Sequence, residues 1–501
     1  MPDRRSPATL WTGVVAFAAL LPRLYVALAW AREPVWDGHY YDFGARRIAA
    51  GLGYSDDVVV GGVPVWHPWC HYPVGYSGLL GLAYRLFGHG QYVGPLLNAV
   101  TGVALAAVTY RLARHATGEW RARAAGLLVA LHPGLIAYTA LLMTEVLAAL
   151  GLALAAWVGA RSRGSLRGSL AAGLVLGLTT LVRPQSILLA PAIGLFAWHG
   201  AAHGLRWRRA WRSGLCATAI ALAVVAPWTV RNCALMDGCA FVSTNAGWNL
   251  AIGSFPRATG RFETLKASDG CHIVTGQVQQ DRCWLRAGMD WIRADPARWL
   301  ALGPRKLGLT FDHESFPIGY LSEADPAAWP PELRERARQG LTLAHRCLLL
   351  ISMLGVVAWP LRRAGRWPFG GGRLGVSVAQ LVALGLVALL GWQAVSSAEH
   401  PFWPAAVAIP LLAVLPLPGR PRNAAVIGYI AFTIATVCVT HAVFFGEDRY
   451  HMVVSPLLCL LAACALRRAR EQDALPAAAR AGENALPAAA RAGSATAPAS
   501  P

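Results

Sequence analysis

Charge is scarce in this sequence, and most of what is there has one sign. Charged residues make up 14% of the 501-residue chain and hydrophobic residues 55%, whereas about a quarter of an ordinary soluble chain is charged. The mean hydropathy is +0.41. A chain of this length would otherwise suggest about three soluble domains. The shortage of charge excludes them, along with a fibre or a disordered hub, and leaves a polytopic membrane protein. Lysine is nearly absent: of 45 basic residues, only Lys266 and Lys306 are lysines. The net charge of +19 is therefore an arginine excess. Most of it falls in short loops on one side of a membrane, which argues against a surface that tracks nucleic-acid phosphates. No Cys-x-x-Cys pair is present, which weighs against zinc held by cysteines. Two similar halves and polar residues at the midplane are also missing, and a secondary transporter would show both.

What is present is a series of apolar runs. Crossing about 30 Å of hydrocarbon takes roughly 20 residues. About twelve runs qualify: 10–30, 92–112, 122–137, 139–160, 168–182, 185–200, 213–230, 341–360, 374–394, 402–417, 423–445 and 451–466. The expected fold is an all-α polytopic membrane protein of about twelve transmembrane helices. Arginines cluster at 4–5, 111–123, 161–167, 206–212, 362–373, 420–422 and 467–470, opposed there only by Asp3 and Glu119. Short cytoplasmic loops carry such an excess, so both termini are expected inside. The alternate connections are long and charge-balanced: 31–91 holds four basic and five acidic residues, and 231–340 thirteen and twelve. They are expected as two large extracytoplasmic loops.

The resulting division is a catalytic membrane module at 1–230, an outer loop region at 231–340, further membrane helices at 341–466 and a tail at 467–501. The first run could mimic a signal peptide, but its length, Pro22 and Arg23 favour an uncleaved helix. The tail repeats Ala-Leu-Pro-Ala-Ala-Ala-Arg-Ala-Gly at an interval of eleven residues. Such a composition builds no core and is expected to be disordered and cytoplasmic. Cys233, Cys239, Cys271 and Cys283 lie in the second outer loop, an oxidising setting on this topology. Of three connectivities, Cys233–Cys239 and Cys271–Cys283 are favoured, with Cys70 left free.

The candidate chemistry lies at the outer interface. Tyr40, Tyr41, Phe43, Gly44 and Ile48 are spaced for a surface helix ending at Gly51, with Asp37 just before it. Asp37 reads either as the N-cap of that helix or as a carboxylate at the membrane–water boundary. A general base needs the second placement, desolvated on one side and reachable by a hydroxyl on the other. His67 and His71 are four apart, but Pro68 and Pro73 deny them one helical face, which favours loop packing over metal ligation. Glu145, after Met143-Thr144, sits in or at the edge of the membrane, where acids are functional or paired by default. Its plain alternative is a helix start. Arg183, Arg231 beside Asn232, and Arg449 beside Tyr450 also map to the outer side. They are either snorkelling anchors or a set around a lipid phosphate, which arginine's planar fork suits. The segment with Asn245, Gly247 and Asn249 presents side-chain amides that suit sugar hydroxyls, and 284–311 reads as amphipathic interfacial helices.

Taken in order, Asp37 to Gly51, Gly53-Tyr54, His71-Tyr-Pro-Val-Gly-Tyr76, Thr144-Glu145, Leu-Val-Arg183-Pro, Trp228-Thr-Val-Arg231-Asn232, Asn245-Ala-Gly247-Trp-Asn249 and Arg449-Tyr450 resemble the GT-C glycosyltransferases. The likeness is greatest to the branch of the protein O-mannosyltransferases and the lipid A aminoarabinose transferase (glycosyltransferase family 39 and relatives). The resemblance implies an enzyme of the bacterial inner membrane with its active site on the periplasmic side. Its donor would be a sugar on a polyprenyl phosphate, moved with inversion to a hydroxyl of an undetermined acceptor (protein, lipid or glycan). Asp37 matches the family's first-loop catalytic aspartate. Family members often carry an acidic pair there, whereas Gly38 follows here, which leaves Asp42 or Glu145 as the second carboxylate. Arg183, Arg231 and Arg449 match basic positions on the lipid phosphate, and Asn232, Tyr450, Tyr41, His71 and Asn245 complete the expected substrate contacts. Metal use varies among GT-C enzymes, so no cofactor is assigned and a divalent ion stays open. A polysaccharide polymerase or ligase, or a flippase of lipid-linked sugars, is the alternative that shares these substrates.

Overall fold

The computed structural model describes residues 7–199, 203–272, 276–361, 384–393, 401–414 and 424–466. Helix dominates them, as the composition requires: a backbone in hydrocarbon must satisfy its own polar groups. Among the described residues, six helices are long and apolar enough to cross a membrane: Ala8–Ala29, Val93–Ala116, Glu145–Ser162, Arg206–Leu235, Pro331–Val356 and Ala425–Val443. Leu166–Val182, Leu384–Gln393, Trp403–Ala413 and Ser455–Ala465 are shorter apolar helices. The expected all-α, multi-pass architecture is what the chain adopts. The tail at 467–501 and most of the run at 374–394 lie outside the described residues.

Proline sets where the expected spans break. The run 122–137 divides into Glu119–Ala130 and Pro133–Ala137. The run 185–200 is no continuous helix but two 3₁₀ turns, Pro184–Leu189 and Pro191–Ile193, and a short helix Gly194–His199. Pro184 and Pro191 each open a turn because proline donates no N–H and cannot continue the preceding α-helix. The run 451–466 likewise begins as a 3₁₀ turn, Asp448–Val453, before Ser455–Ala465.

Helices pack through small residues, as expected where burial of apolar surface drives little. Leu166–Val182 crosses Arg206–Leu235 at Gly173 and Gly177, four residues apart. A Cβ on Gly177 would lie 2.9 Å from the carbonyl oxygen of Ala221 and 2.6 Å from Val224. Arg23 is one of several charged residues buried in the apolar bundle. It lies fully buried in the helix Pro7–Ala29 and donates to Ala19 O (3.1 Å), Ala130 O (2.6 Å) and Val129 O (3.0 Å). The last two end the neighbouring helix Glu119–Ala130, so a cation from one helix satisfies carbonyls that another leaves open. Gly102 makes the room, since a Cβ there would collide with the Arg23 side chain.

Outside the bundle, the first loop opens with the expected surface helix, Asp37–Ala49, ended by Gly51 at φ 81°. A hairpin that was not expected follows: Ser55–Val60 pairs antiparallel with Val63–Pro68 around Gly61-Gly62, both at positive φ. Two glycines between β-branched runs are a turn signal of this kind. In the second loop, Gln277–Ala294 and Pro296–Phe311 take the place of the expected interfacial helices. Cys233–Cys239 and Cys271–Cys283 are the disulfides, the favoured pairing, and Cys70 is free.

Arg23→Met should lower the thermal midpoint of the detergent-solubilised protein. Ala130 O loses its donor, at about 1–3 kcal/mol, and Val129 O loses one of its donors; a midpoint equal to wild type would refute this role.

Candidate active site

Trp36 is held at φ 49°, a conformation costly for a bulky residue. Its ring packs on Phe316 and Tyr320 at 5.5 and 5.9 Å between centroids, which offsets that strain. The bend makes Asp37 the first residue of its helix, and no side chain caps that helix. The carboxylate is directed elsewhere. It accepts from the Tyr72 hydroxyl at 2.8 Å and forms a close ion pair with Arg449. It therefore does not act as an N-cap.

Arg449 reaches Asp37 from the turn Asp448–Val453, near the other end of the chain. Asp448 anchors that turn by accepting the backbone N–H groups of Ser315 and Phe316. The Arg449 guanidinium also lies over Phe316 and Tyr450, 5.1 and 5.0 Å from the ring centroids. Its Nε is 2.5 Å from Glu447 Oε2, an ion pair without hydrogen-bond geometry. Burial raises the Asp37 carboxyl, but the charge and hydrogen bond of Arg449, the Tyr72 hydroxyl and His71 outweigh it. Asp37 is thus held below the usual carboxylate range. Glu447 goes the other way: burial lifts it to about 7 against the pull of Arg449. Burial also depresses His71, so its imidazole is neutral near pH 7, and raises Tyr41 and Tyr72, so their hydroxyls stay protonated.

Asp37, Tyr41, His71, Tyr72 and Arg449 line one side of a cavity of about 720 Å³, and Glu447 lies outside its wall. Glu145 and Arg183 line it too. Glu145 is fully enclosed at the first turn of Glu145–Ser162, where the helix dipole favours an anion. Its Oε1 accepts from Arg183 at 3.4 Å, and its Oε2 has no partner. Arg183 lies 5.4 Å from the Tyr450 ring centroid, so two guanidinium groups contact the same ring. Tyr41, His71, Tyr450 and Asn245 complete the expected set that meets here. Val182, Ile187, Leu188 and Phe444 make part of the wall apolar.

Three expected residues are placed elsewhere. Asp42 lies outside the cavity wall, buried against Tyr84 (2.6 Å) and Arg46 (2.5 Å). Arg231 donates to Trp69 O (3.1 Å) and Tyr54 O (2.6 Å), tying the first loop to the end of Arg206–Leu235. Asn232 donates to Ala240 O and Val242 O at 3.2 and 3.3 Å, bracing the loop that the Cys233–Cys239 bridge closes. Glu447 was missed, although Glu447-Asp448-Arg449 interrupts an apolar stretch with three adjacent charges.

The family model for dolichyl-phosphate-mannose-protein mannosyltransferases matches residues 71–230. That match bears out the resemblance expected from the motifs over this part of the chain. No curated protein sequence matches the chain. Among solved structures, the oligosaccharyltransferase of Archaeoglobus fulgidus in the apo form shares 12% identity at a TM-score of 0.46, over 92% of this chain and 50% of that one. ArnT from Cupriavidus metallidurans bound to undecaprenyl phosphate shares 15% at 0.35, over 91% and 76%. The arabinosyltransferase EmbB from Mycobacterium smegmatis shares 15% at 0.31, over 86% and 43%. The chain thus spans about half the length of the archaeal enzyme it matches.

Glu447 carries a pH signature. Its folded-state pKa of about 7 lies above the ordinary 4.5, so the native state holds the proton more tightly and loses stability as pH rises through 7. Glu447→Gln should therefore melt above wild type at about pH 8 and show a smaller gap at about pH 5. A gap independent of pH would assign Glu447 no such titration.

Proposed function

We propose that this chain is a membrane glycosyltransferase that moves a sugar from a polyprenyl-phosphate donor to an acceptor hydroxyl. The reaction would take place at the outer face of a bacterial inner membrane. The observation that carries the reading is the Asp37 carboxylate, held by Tyr72 and Arg449 on a cavity that also holds Arg183. One wall is polar and arginine-rich and another is apolar, as a phosphate on a prenyl chain requires. The match of residues 71–230 to the mannosyltransferase family model supports the same reading.

In this mechanism the donor phosphate lies against Arg449 and Arg183. The acceptor oxygen attacks the anomeric carbon as the carbon–oxygen bond to phosphate breaks, and configuration inverts. The hydroxyl proton passes to Asp37, and the polyprenyl phosphate leaves with its charge on the arginines. Phosphate is a good leaving group, so no general acid is needed and one carboxylate suffices, where glycosidases use two. Before the donor arrives, Arg449 suppresses the basicity of Asp37. A phosphate that engages Arg449 weakens that pair, so donor binding makes Asp37 a better base. Glu145 keeps Arg183 in place, and Asp42 acts through packing rather than chemistry. No metal ligand is assigned in this cavity.

The test is sugar release or transfer from radiolabelled polyprenyl-phosphate sugars by purified protein. Asp37→Asn should lose on the order of 10²–10⁴-fold in turnover with membrane insertion intact. Arg449→Ala should lose roughly 10²–10³-fold. Retained activity in Asp37→Asn removes it as the base. No turnover of any monophosphate donor by folded protein moves the reading to a polymerase, ligase or flippase.

A further inference from the structure

Behind the turn that presents Arg449, three groups that the mechanism does not use are buried together. Glu314, His345 and His451 are each at most 1% exposed. One ligand atom from each lies within 4.8 Å of the others. They come from three segments: Glu314 follows Pro296–Phe311, His345 lies in Pro331–Leu361 and His451 in the turn Asp448–Val453.

Their hydrogen bonds fix the tautomers. His345 Nε2 is 2.9 Å from Phe311 O, and His451 Nδ1 is 2.7 Å from Thr310 O. A carbonyl only accepts, so each of these nitrogens carries the hydrogen. In neutral rings the opposite nitrogens, His345 Nδ1 and His451 Nε2, are then lone pairs. The two rings stack at 3.8 Å between centroids. Glu314 Oε2 is 3.4 Å from His451 Nε2, while Glu314 Oε1 and His345 Nδ1 have no partner. A carboxylate and two imidazole lone pairs thus converge with no donor among them, away from solvent. Buried acceptors are ordinarily satisfied.

A proton on His451 would serve Glu314 Oε2 but leave His345 Nδ1 and Glu314 Oε1 unpartnered. A cation can serve both rings and the carboxylate. The arrangement is also that of metal-binding imidazoles, in which one nitrogen faces the ion and the other donates to a backbone carbonyl. Two nitrogens and one carboxylate oxygen suit zinc and its neighbours, whereas magnesium and calcium prefer all-oxygen sets.

We propose that Glu314, His345 and His451 bind a divalent transition-metal ion of the zinc class that clamps these three segments together. The ion would be structural, since none of its ligands lines the cavity. Its place matters nonetheless. Glu314 adjoins Ser315, whose N–H donates to Asp448, and His451 is two residues beyond Arg449. The clamp therefore fixes the turn that carries Arg449. The inference does not rest on the proposed activity.

The test is the metal content of the full-length chain, purified in detergent without metal-affinity resin and measured by plasma mass spectrometry. About one zinc-class ion per chain is expected, retained in Asp37→Asn and lost in Glu314→Gln and His345→Gln. Chelation should lower the thermal midpoint of wild type, and zinc but not magnesium should restore it. If the variants fail to fold, cobalt-loaded wild type should still show the visible absorption of a four-coordinate site. Wild-type protein that holds no metal and takes up none on dialysis against zinc or cobalt overturns the proposal. So do folded variants that keep the wild-type stoichiometry.

Discussion

The pairing of Arg449 with Asp37 is the interaction on which the rest of the site depends. It joins the first long loop to the turn before the last described helix, across 412 positions of sequence. In water such a pair would contribute little. Here both partners are largely enclosed, where attraction is stronger and losing one partner leaves a buried charge. Much of the surrounding structure keeps the two groups in register. Trp36 turns the chain so that Asp37 faces inward, and Asp448 holds the Arg449 turn to the backbone at Ser315 and Phe316. Tyr72 donates to the other oxygen of the Asp37 carboxylate.

The two long loops share the bundle's apolar core through Tyr41, Ala45, Tyr320 and Leu321, and hydrogen bonds to main chain fix them further. Arg231 holds the first loop through Trp69 O and Tyr54 O. Asn232 and the Trp228 indole, which donates to Val242 O at 2.8 Å, hold the start of the second. Lys306, fully buried, donates to Ala442 O and Val443 O at 3.3 and 3.2 Å, at the carbonyl end of Ala424–Val443. That is the favourable end of a helix for a cation. Arg231 and Lys306, like Arg23 in the bundle, place their charges on carbonyls, and the scarcity of charge makes each such placement informative.

The spacing of apolar runs and the side preference of arginine made the helical bundle legible in the sequence. Asp37, Glu145, Arg183 and Arg449 were legible as charges at one interface. Their mutual distances were not, because no local pattern links position 37 to 449 or 145 to 183. For the same reason Arg231 read like Arg183: both follow an apolar run at the outer side, and only the carbonyls around Arg231 tell them apart. Asp42 shares a helix with Asp37 but sits five positions on, which turns it toward Tyr84 and Arg46 instead of the cavity. His345 and His451 stand in apolar stretches where sequence alone suggests packing. Their tautomers, and the lone pairs left over, follow only from the carbonyls of Thr310 and Phe311.

The charge balance of the cavity bears on how the proposed donor is accepted. Asp37 and Glu145 pair with Arg449 and Arg183, and Glu263 adds a third acid to the wall. Glu447, near neutrality in its own titration, is the group that can adjust. A phosphate placed against Arg449 adds negative charge beside Glu447 and favours its protonated form. Donor binding on this reading draws a proton onto Glu447 while it weakens the hold of Arg449 on Asp37. The phosphate and the base then compete for one guanidinium. As the leaving phosphate gains charge it attracts Arg449 more strongly, and the carboxylate that takes the acceptor's proton is by then less tightly paired.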